Sequence, residues 1–243
     1  MDTRTISVVI PCFNEGKRIY RNIAKIREFL SKRFSSFQII AVNDGSADDT
    51  LAELVRAERD FSITVIDRKQ NGGKGKAVRA GMLVGTGDIV MFLDADLGIP
   101  IESLDEFLPE LGKGADIVIA SRMVPGLRVA QPVRAHRRFM ERIFRLLRIV
   151  IIGNPKIRDT QCGFKVFTRE AVADIFPRLT IDRFAFDAEI VFIAGMLGYY
   201  VREMPIILQN PVRTSVRIFL DPINMIADLF RIRWNGLTGK YRR

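Results

Sequence analysis

The chain has 243 residues, 48% of them hydrophobic, enough for one large packed domain or a domain with an appendage. No run of about 18 apolar residues is present to span a bilayer, and Ile6 to Ile10, cut off by Pro11, is too short for the apolar part of a secretory leader. The net charge of +10 is concentrated: 122–148 carries eight arginines against Glu141, and 213–243 carries six arginines and one lysine against Asp221 and Asp228, leaving the rest slightly acidic.

Ile6 to Pro11 reads as a short apolar strand, followed by an amphipathic helix from Lys17 to Lys32 with Ile19, Ile23, Ile26 and Leu30 at helical spacing. Phe37 to Val42 is a second strand that runs into Asn43-Asp44-Gly45-Ser46. Asp48 and Asp49 then open a helix to about Asp60, where the helix dipole favours acids. Ile63 to Ile66 is a third strand, and Asn71-Gly72-Gly73-Lys74-Gly75-Lys76 is a turn opening a helix through Met82. Asp88 to Leu93 is a buried strand, Ile101 to Leu111 a helix and Ala115 to Ala120 another buried strand. Strict alternation of strand and helix predicts an α/β fold with a mostly parallel, doubly wound sheet. After Ser121 the alternation stops and the first basic segment begins.

Three strand ends carry polar clusters: Pro11-Cys12-Phe13-Asn14-Glu15, Asn43-Asp44-Gly45-Ser46 and Asp94-Ala95-Asp96. Consecutive parallel strands present their C-terminal ends on one edge, where open α/β sheets place their ligands, so the clusters are expected to converge. Strand alternation would point Asp94 and Asp96 to the same side, as a site for a divalent cation and the phosphates it neutralises. The plainer alternative is that Asp94-Ala95-Asp96 caps the helix that starts near Pro100. The glycine-rich turn lacks the spacing of a phosphate-binding P-loop, and no Gly-x-Gly-x-x-Gly follows the first strand, which disfavours a nicotinamide or flavin site. Lys74 and Lys76 at a helix start suit an anion, with an ordinary turn as the alternative. Cys12 and Cys162 have no metal-binding spacing and read as reduced thiols.

These motifs carry a resemblance. Ile10-Pro11-Cys12-Phe13-Asn14-Glu15, Asn43-Asp44-Gly45-Ser46, Gly73-Lys74-Gly75 with Ala77 to Met82, and Asp94-Ala95-Asp96 resemble the family 2 glycosyltransferases of GT-A fold. Ile157 to Lys165, with Asp-Thr-Gln-Cys-Gly-Phe-Lys at 159–165, and Phe184 to Glu189 are similar to the dolichyl-phosphate glucose and mannose synthases, and the ending Leu237 to Arg242 is nearer the glucose type. The resemblance implies a nucleotide sugar, UDP-glucose or GDP-mannose, with Mg²⁺ or Mn²⁺ and a polyprenyl (dolichyl) phosphate acceptor. It implies nucleotide-sugar contacts at Pro11, Asn14, Glu15, Asp44, Lys74, Asp94 and Ala95, and metal ligation by Asp94 and Asp96. It also implies acceptor-phosphate contacts at Arg122, Arg137, Arg138, Arg213 and Arg217, and a catalytic set of Asp96, Arg122 and Asp187. One departure is Gly98, which stands where mannose synthases usually carry a further metal-ligating Gln.

The chemistry follows independently from the acceptor. A phosphate monoester has a second pKa of about 6 and is largely a ready oxyanion near neutral pH. No general base is then required, in keeping with a single histidine, His136, outside the crevice motifs. The reaction needs positive charge to hold two anions together, and arginine offers a bidentate fork for phosphate. Arg122 directly follows a buried strand and is placed near the crevice, whereas Arg145 and Arg148 read as a solvated basic face. Asp187 and Glu189 open a helix over Asp187 to Leu197, which they either cap or bring to the reacting sugar.

On a helix from Arg137 to Ile152, Arg138, Arg142 and Arg145 share one side, while Phe139, Ile143, Leu146, Leu147 and Val150 cover the other. Asp221 caps and Pro222 begins a final helix, with Ile223, Ile226, Phe230 and Trp234 on one stripe and Met225, Leu229 and Ile232 on another. Basic amphipathic helices suit a membrane interface; the alternative is ordinary core packing. The expected organisation is a catalytic domain over 1–210 and a basic interface segment over 211–243, peripheral on the cytoplasmic face of an anionic membrane. Competing readings are a nucleic-acid binder, disfavoured by the apolar faces beside the charge and the lack of a recognised module, and a catalytically inert membrane scaffold.

Overall fold

The computed structural model describes the backbone of residues 2–125, 128–129, 135–153, 156–208 and 220–242, and side chains within these except at 126–142 and 207–223. Strand β1 (Ile6–Cys12) leads to α1 (Ile19–Arg33), β2 (Phe37–Asp44), α2 (Thr50–Phe61), β3 (Thr64–Arg68), α3 (Lys74–Val84) and β4 (Ile89–Leu93). Then come a 3-10 turn, α4 (Leu104–Gly112), β5 (Ile117–Ser121), the two-residue β6 (Arg128–Val129) and α5 (Ala135–Ile152). The last third holds β7 (Phe164–Thr168), α6 (Arg169–Ile175), α7 (Phe186–Leu197), β8 (Val201–Pro205), β9 (Ile207–Leu208) and α8 (Leu220–Leu237).

Seven strands form one sheet in the order β3-β2-β1-β4-β7-β5-β8, and β6 pairs separately with β9. The expected parallel pairings hold for β1 with β2 and β4, and for β2 with β3. Of this sheet's strands, sequence periodicity does not disclose β8 or the interior strand β7. Strand β7 runs antiparallel between β4 and β5, and β8 then extends the sheet parallel to β5. The alternation of β7 is hidden because its second residue, Lys165, is charged yet fully buried.

Strand alternation divides the core into two layers. Val8, Ile10, Met91, Val118, Phe164 and Val166 pack toward α1 and α4. Val9, Val42, Phe92, Ile119 and Phe167 pack toward α3, α6 and α7. From α8 the stripe Met225, Leu229 and Ile232 is buried in this second layer, with Tyr241 beyond it. The other stripe faces outward, with Phe230 60% and Trp234 67% exposed. The core reading of this helix therefore holds for one stripe, while the other is exposed. The helix starts at Leu220, so Pro222 falls in its first turn, while the side chains of Asp221 and Ile223 lie outside the described residues.

Helix α5 lies against α8. Its inward side consists of Phe144, Leu147, Arg148 and Ile151, at three- and four-residue spacing. Ile143, Leu146 and Val150 are exposed. The expectation that Arg148 is solvated is overturned: it is 1% exposed, because it lies on the side seated against the returning chain and donates to the Ile157 carbonyl. Arg145 is half-buried, with its Nε shielded.

Candidate active site

The polar strand ends of β1, β2 and β4 do converge. Asn14 N–H donates to Ser46 Oγ at 3.0 Å, Ala47 N–H donates to Asn14 Oδ1 at 2.9 Å, and Glu15 N–H donates to Thr50 Oγ1 at 2.7 Å. Asn22 of α1 donates to the Ala95 carbonyl at 2.8 Å, joining this edge to the end of β4. Glu15 pairs with Arg18. Asp44 is nearly buried and accepts from the N–H groups of Gly72 and Gly73 at 3.0 and 2.8 Å, with Arg68 Nε 3.1 Å away. It thereby fixes the glycine-lysine turn above the sheet edge.

That turn delivers Lys74, whose Nζ lies 2.5 Å from Asp94 Oδ1. Strand β4 ends at Leu93, so strand alternation is not what sets the two carboxylates. A turn does so instead: Leu97 N–H donates to the Asp94 carbonyl at 3.1 Å, and Gly98 N–H donates to Asp96 Oδ1 at 2.9 Å. The capping alternative does not hold, because neither the 3-10 turn after Pro100 nor α4 receives a side-chain cap; within its own turn Asp96 keeps its second oxygen and Asp94 is partly exposed. Burial pushes the Asp96 carboxyl up, and the nearby Asp94 charge adds to the rise. A cleft of about 350 Å³ opens beside Asp96, bordered by Arg18, Asn22, Lys25 and Glu102.

Gly163 explains part of the sequence motif that contains it. Its carbonyl accepts from Asp94 N–H at 3.0 Å, and a Cβ at this position would collide with the Asp94 carboxylate. Two residues on, Lys165 donates to the Cys162 carbonyl at 2.6 Å and pairs with Asp187 in the first turn of α7. Burial raises the Asp187 carboxyl despite the opposing influence of Lys165 and Lys74. Burial disfavours the Lys74 charge as well, but Asp94 and Asp187 more than offset it and hold that ammonium above its usual range. Asp94, Lys74, Asp187 and Lys165 thus form one connected alternation of charge. Lys165 escaped the sequence reading because its charge gave no sign of burial.

At the end of β5, Arg122 is bound by Asp159. Nε donates to Oδ2 at 2.7 Å, an Nη donates to Oδ1 at 3.0 Å, and the Arg122 backbone N–H adds a third bond at 3.0 Å. Burial alone would raise the Asp159 carboxyl, but Arg122 outweighs it and holds the group below the ordinary carboxylate range. Arg145, Arg148 and Arg158 gather with Arg122 and Asp159 around a small pocket with a volume of about 10 Å³, also lined by Gln161. Nε of Arg145 is buried there without a hydrogen-bond partner. Burial, then the Arg145 charge, pull the Arg148 guanidinium down from its usual value. Glu203, the nearby acid besides Asp159, accepts from the backbone N–H groups of Arg158 and Asp159 at 2.8 Å each. Arg145, Arg148 and Arg158 were not among the sequence-derived site residues; a helical-wheel view lacked the returning segment that turns two of them inward.

Arg213 and Arg217 lie outside the described residues, and Arg137 and Arg138 are placed on α5 by backbone alone. Glu189 does not cap α7; it is fully buried and accepts from Thr180, Ile181 and Tyr241. Cys12 and Cys162 are free thiols, buried and far up from ordinary acidity. Among the described residues no group of three or more His, Cys, Asp or Glu could hold a metal, and no helix is long and apolar enough to cross a membrane.

The chain is similar to a dolichyl-phosphate beta-glucosyltransferase of Trichomonas vaginalis, 35% identical over 237 residues, covering 92% of this chain and 69% of that protein. The enzyme of the same name from Saccharomyces cerevisiae is 31% identical over 98% of this chain and 76% of its own length. The human one is 30% identical over 99% and 78%. Among solved structures, glucosyl-3-phosphoglycerate synthase from Mycobacterium tuberculosis, in complex with Mn²⁺, UDP-glucose and phosphoglyceric acid, superposes with a TM-score of 0.66 at 21% identity, covering 97% of this chain and 80% of that one. That likeness identifies the sheet and its flanking helices as the GT-A fold. The family model described as glycosyl transferase family 2 matches residues 7–176, from β1 through the start of the second 3-10 turn, and the chain belongs to that family of glycosyltransferases.

Proposed function

We propose that this enzyme transfers glucose from UDP-glucose to a dolichyl or related polyprenyl phosphate, with inversion at the sugar carbon. The observation that carries the reading is the juxtaposition of two unlike sites. The carboxylates Asp94 and Asp96 lie at the end of β4, and an arginine pocket lies at the end of β5. Segment 159–163 begins at Arg122 and ends against Asp94. Relatives over most of the chain are named for the glucosyl reaction, and nothing favours GDP-mannose over UDP-glucose.

On this reading the nucleoside rests along Pro11, Asn14, Glu15 and Asp44, and the diphosphate lies near Lys74, Asp94 and Ala95. Two carboxylates offering hard oxygen donors fit Mg²⁺ or Mn²⁺, with diphosphate oxygens and water completing the shell. Bound there, the cation would offset charge on the departing diphosphate. Gly98 in place of a further side-chain ligand leaves one more position for water. Lys74 places a second positive charge at the same leaving group, and Asp187, held by Lys165, helps keep Lys74 charged. The acceptor phosphate, already an oxyanion, is drawn to the arginine pocket beside Arg122, with Arg137, Arg138, Arg213 and Arg217 as further acceptor-side contacts. Guanidinium groups fixed in place beforehand hold the acceptor's charge beside the sugar carbon without reorganisation.

The lipid tail is met by the outward stripes of α5 and α8: Leu146, Val150, Phe230, Trp234 and Leu237 are exposed beside Arg231 and Arg233. We place this face on an anionic membrane surface as a peripheral contact on its cytoplasmic side. The deciding experiment offers UDP-glucose or GDP-mannose with a short polyprenyl phosphate and Mn²⁺ or Mg²⁺. Lipid-linked glucose formed only from UDP-glucose is expected. Lipid-linked mannose, or no metal-dependent product, would overturn the reading.

A further inference from the structure

We propose that the C-terminal turn is a built part of the donor site, with Tyr241 acting through Glu189 and segment 180–183 to position the glycine-lysine turn that carries Lys74. The contacts are continuous. Tyr241 O–H donates to Glu189 Oε1 at 2.6 Å. The same carboxylate accepts from Thr180 N–H at 3.0 Å, Thr180 O–H at 2.7 Å and Ile181 N–H at 2.9 Å. Asn235 of α8 donates to Thr180 Oγ1 at 3.0 Å and to the Tyr241 hydroxyl at 3.3 Å, closing the ring. Arg178 fixes the Tyr241 carbonyl at 2.9 Å. Glu189 is fully buried and Tyr241 1% exposed, so no bulk water stands ready to replace a lost donor.

The next residue along transmits the position. Lys76 N–H in the first turn of α3 donates to the Asp182 carbonyl at 3.0 Å. Gly73 and Gly75 press against the same segment: a Cβ on either would lie 2.6 Å from the carbonyl oxygen of Asp182 or Ile181. No slack exists between 180–183 and 73–76, so a displacement of one must move the other. Lys74 reaches Asp94 from this turn, and Gly72 and Gly73 hold Asp44 from it. The closing residues Leu237 to Arg242, singled out in the sequence by resemblance alone, thereby acquire a physical task. They seat the end of α8 and supply the last hydrogen-bond donor to the carboxylate that braces the donor side. Tyr241 is a positioning residue here, since it touches neither substrate nor metal.

The inference rests on reading the turn as the diphosphate's, so the test separates the two. Tyr241→Phe removes one hydroxyl and keeps the ring. We expect its UDP dissociation constant in Mn²⁺, and its KM for UDP-glucose, to rise about tenfold, the value of one hydrogen bond to a buried charge. KM for the polyprenyl phosphate should stay unchanged, and backbone amide exchange at Lys76 and Ala77 should accelerate. Faster exchange confined to 235–242, with 73–77 and KM for UDP-glucose unmoved, would overturn the proposal and leave Tyr241 as a fold anchor. If the wild type fails to bind UDP, the donor reading falls, and exchange at Lys76 still decides whether Tyr241 positions the turn. Should Tyr241→Phe not fold, Asn235→Ala, which removes the bridge between the two hydroxyls, carries the same expectations.

Discussion

The two ionic clusters at the C-terminal ends of β4 and β5 are built on opposite principles. Around β4, Asp94, Lys74, Asp187 and Lys165 alternate in sign, so the group is balanced before any ligand arrives. Around β5, among the described residues, four guanidinium groups gather near Asp159 and Glu203, whose oxygens are engaged by Arg122 and by backbone N–H groups. A balanced cluster suits a ligand that brings its own counter-charge, as a diphosphate and its cation do. An unbalanced one, with a buried Arg145 Nε left unpartnered, suits an anion arriving alone. Its volume of about 10 Å³ has room for roughly one oxygen of a phosphate, with the remaining oxygens in the mouth and a sugar excluded.

Removing the Asp96 carboxylate, which stands beside Asp94 of the balanced cluster, is the most severe test. Asp96→Ala should lower turnover by about a thousandfold, the equivalent of losing several kcal/mol of charge stabilisation on the leaving group, with thermal unfolding close to wild type. Unchanged turnover would remove Asp96 from the chemistry. The next largest effect falls on stability. Lys165→Met leaves Asp187 buried without its partner and should cost about 3–5 kcal/mol in denaturant unfolding. Adding Asp187→Asn should recover most of that loss. If the single variant is as stable as wild type, the alternation of charge is not a structural unit.

The half of the molecule that these clusters complete was unevenly legible in the sequence. Helices α1 to α4 are disclosed because each buries one side, and strands β1, β2, β4 and β5 because they are short apolar runs buried on both faces, and their end residues carry the recognisable turn chemistry. β7 stayed hidden because its second residue, Lys165, is charged, and its burial is explained only by Asp187 and the Cys162 carbonyl. Asp159 was named only within a motif, and its pairing with Arg122, 37 residues away, is a long-range contact that the motif does not contain. The inward turn of Arg148 depends on the carbonyl of Ile157, a long-range feature no helical wheel contains. Asp94 and Asp96 were placed at the right strand end for a partly wrong reason, since a turn rather than strand alternation sets them.

The unbalanced cluster is probed by Arg145→Gln, which keeps most of the packing volume and removes one charge from the pocket. KM for the polyprenyl phosphate should rise about thirtyfold, the range of a charge-assisted hydrogen bond, while KM for UDP-glucose stays fixed. A rise in both would mean that the pocket is not specific to the acceptor.

The smallest effect concerns how the lipid arrives. α5 turns Arg145 and Arg148 toward the pocket and Leu146 and Val150 toward solvent, so one helix borders both the arginine pocket and an exposed apolar face. On the neighbouring α8, Phe230 and Trp234 continue that face while Leu229 and Ile232 anchor the helix in the core. Trp234→Ser alters only the outward stripe, so it should leave thermal stability near wild type and weaken co-sedimentation with anionic vesicles by about tenfold, consistent with one large apolar side chain leaving a nonpolar environment. Turnover on a water-soluble short-chain acceptor should not change, because neither ionic cluster is touched. Loss of that soluble activity would show that the stripe supports the fold, whereas unchanged vesicle binding would move the membrane contact to another surface.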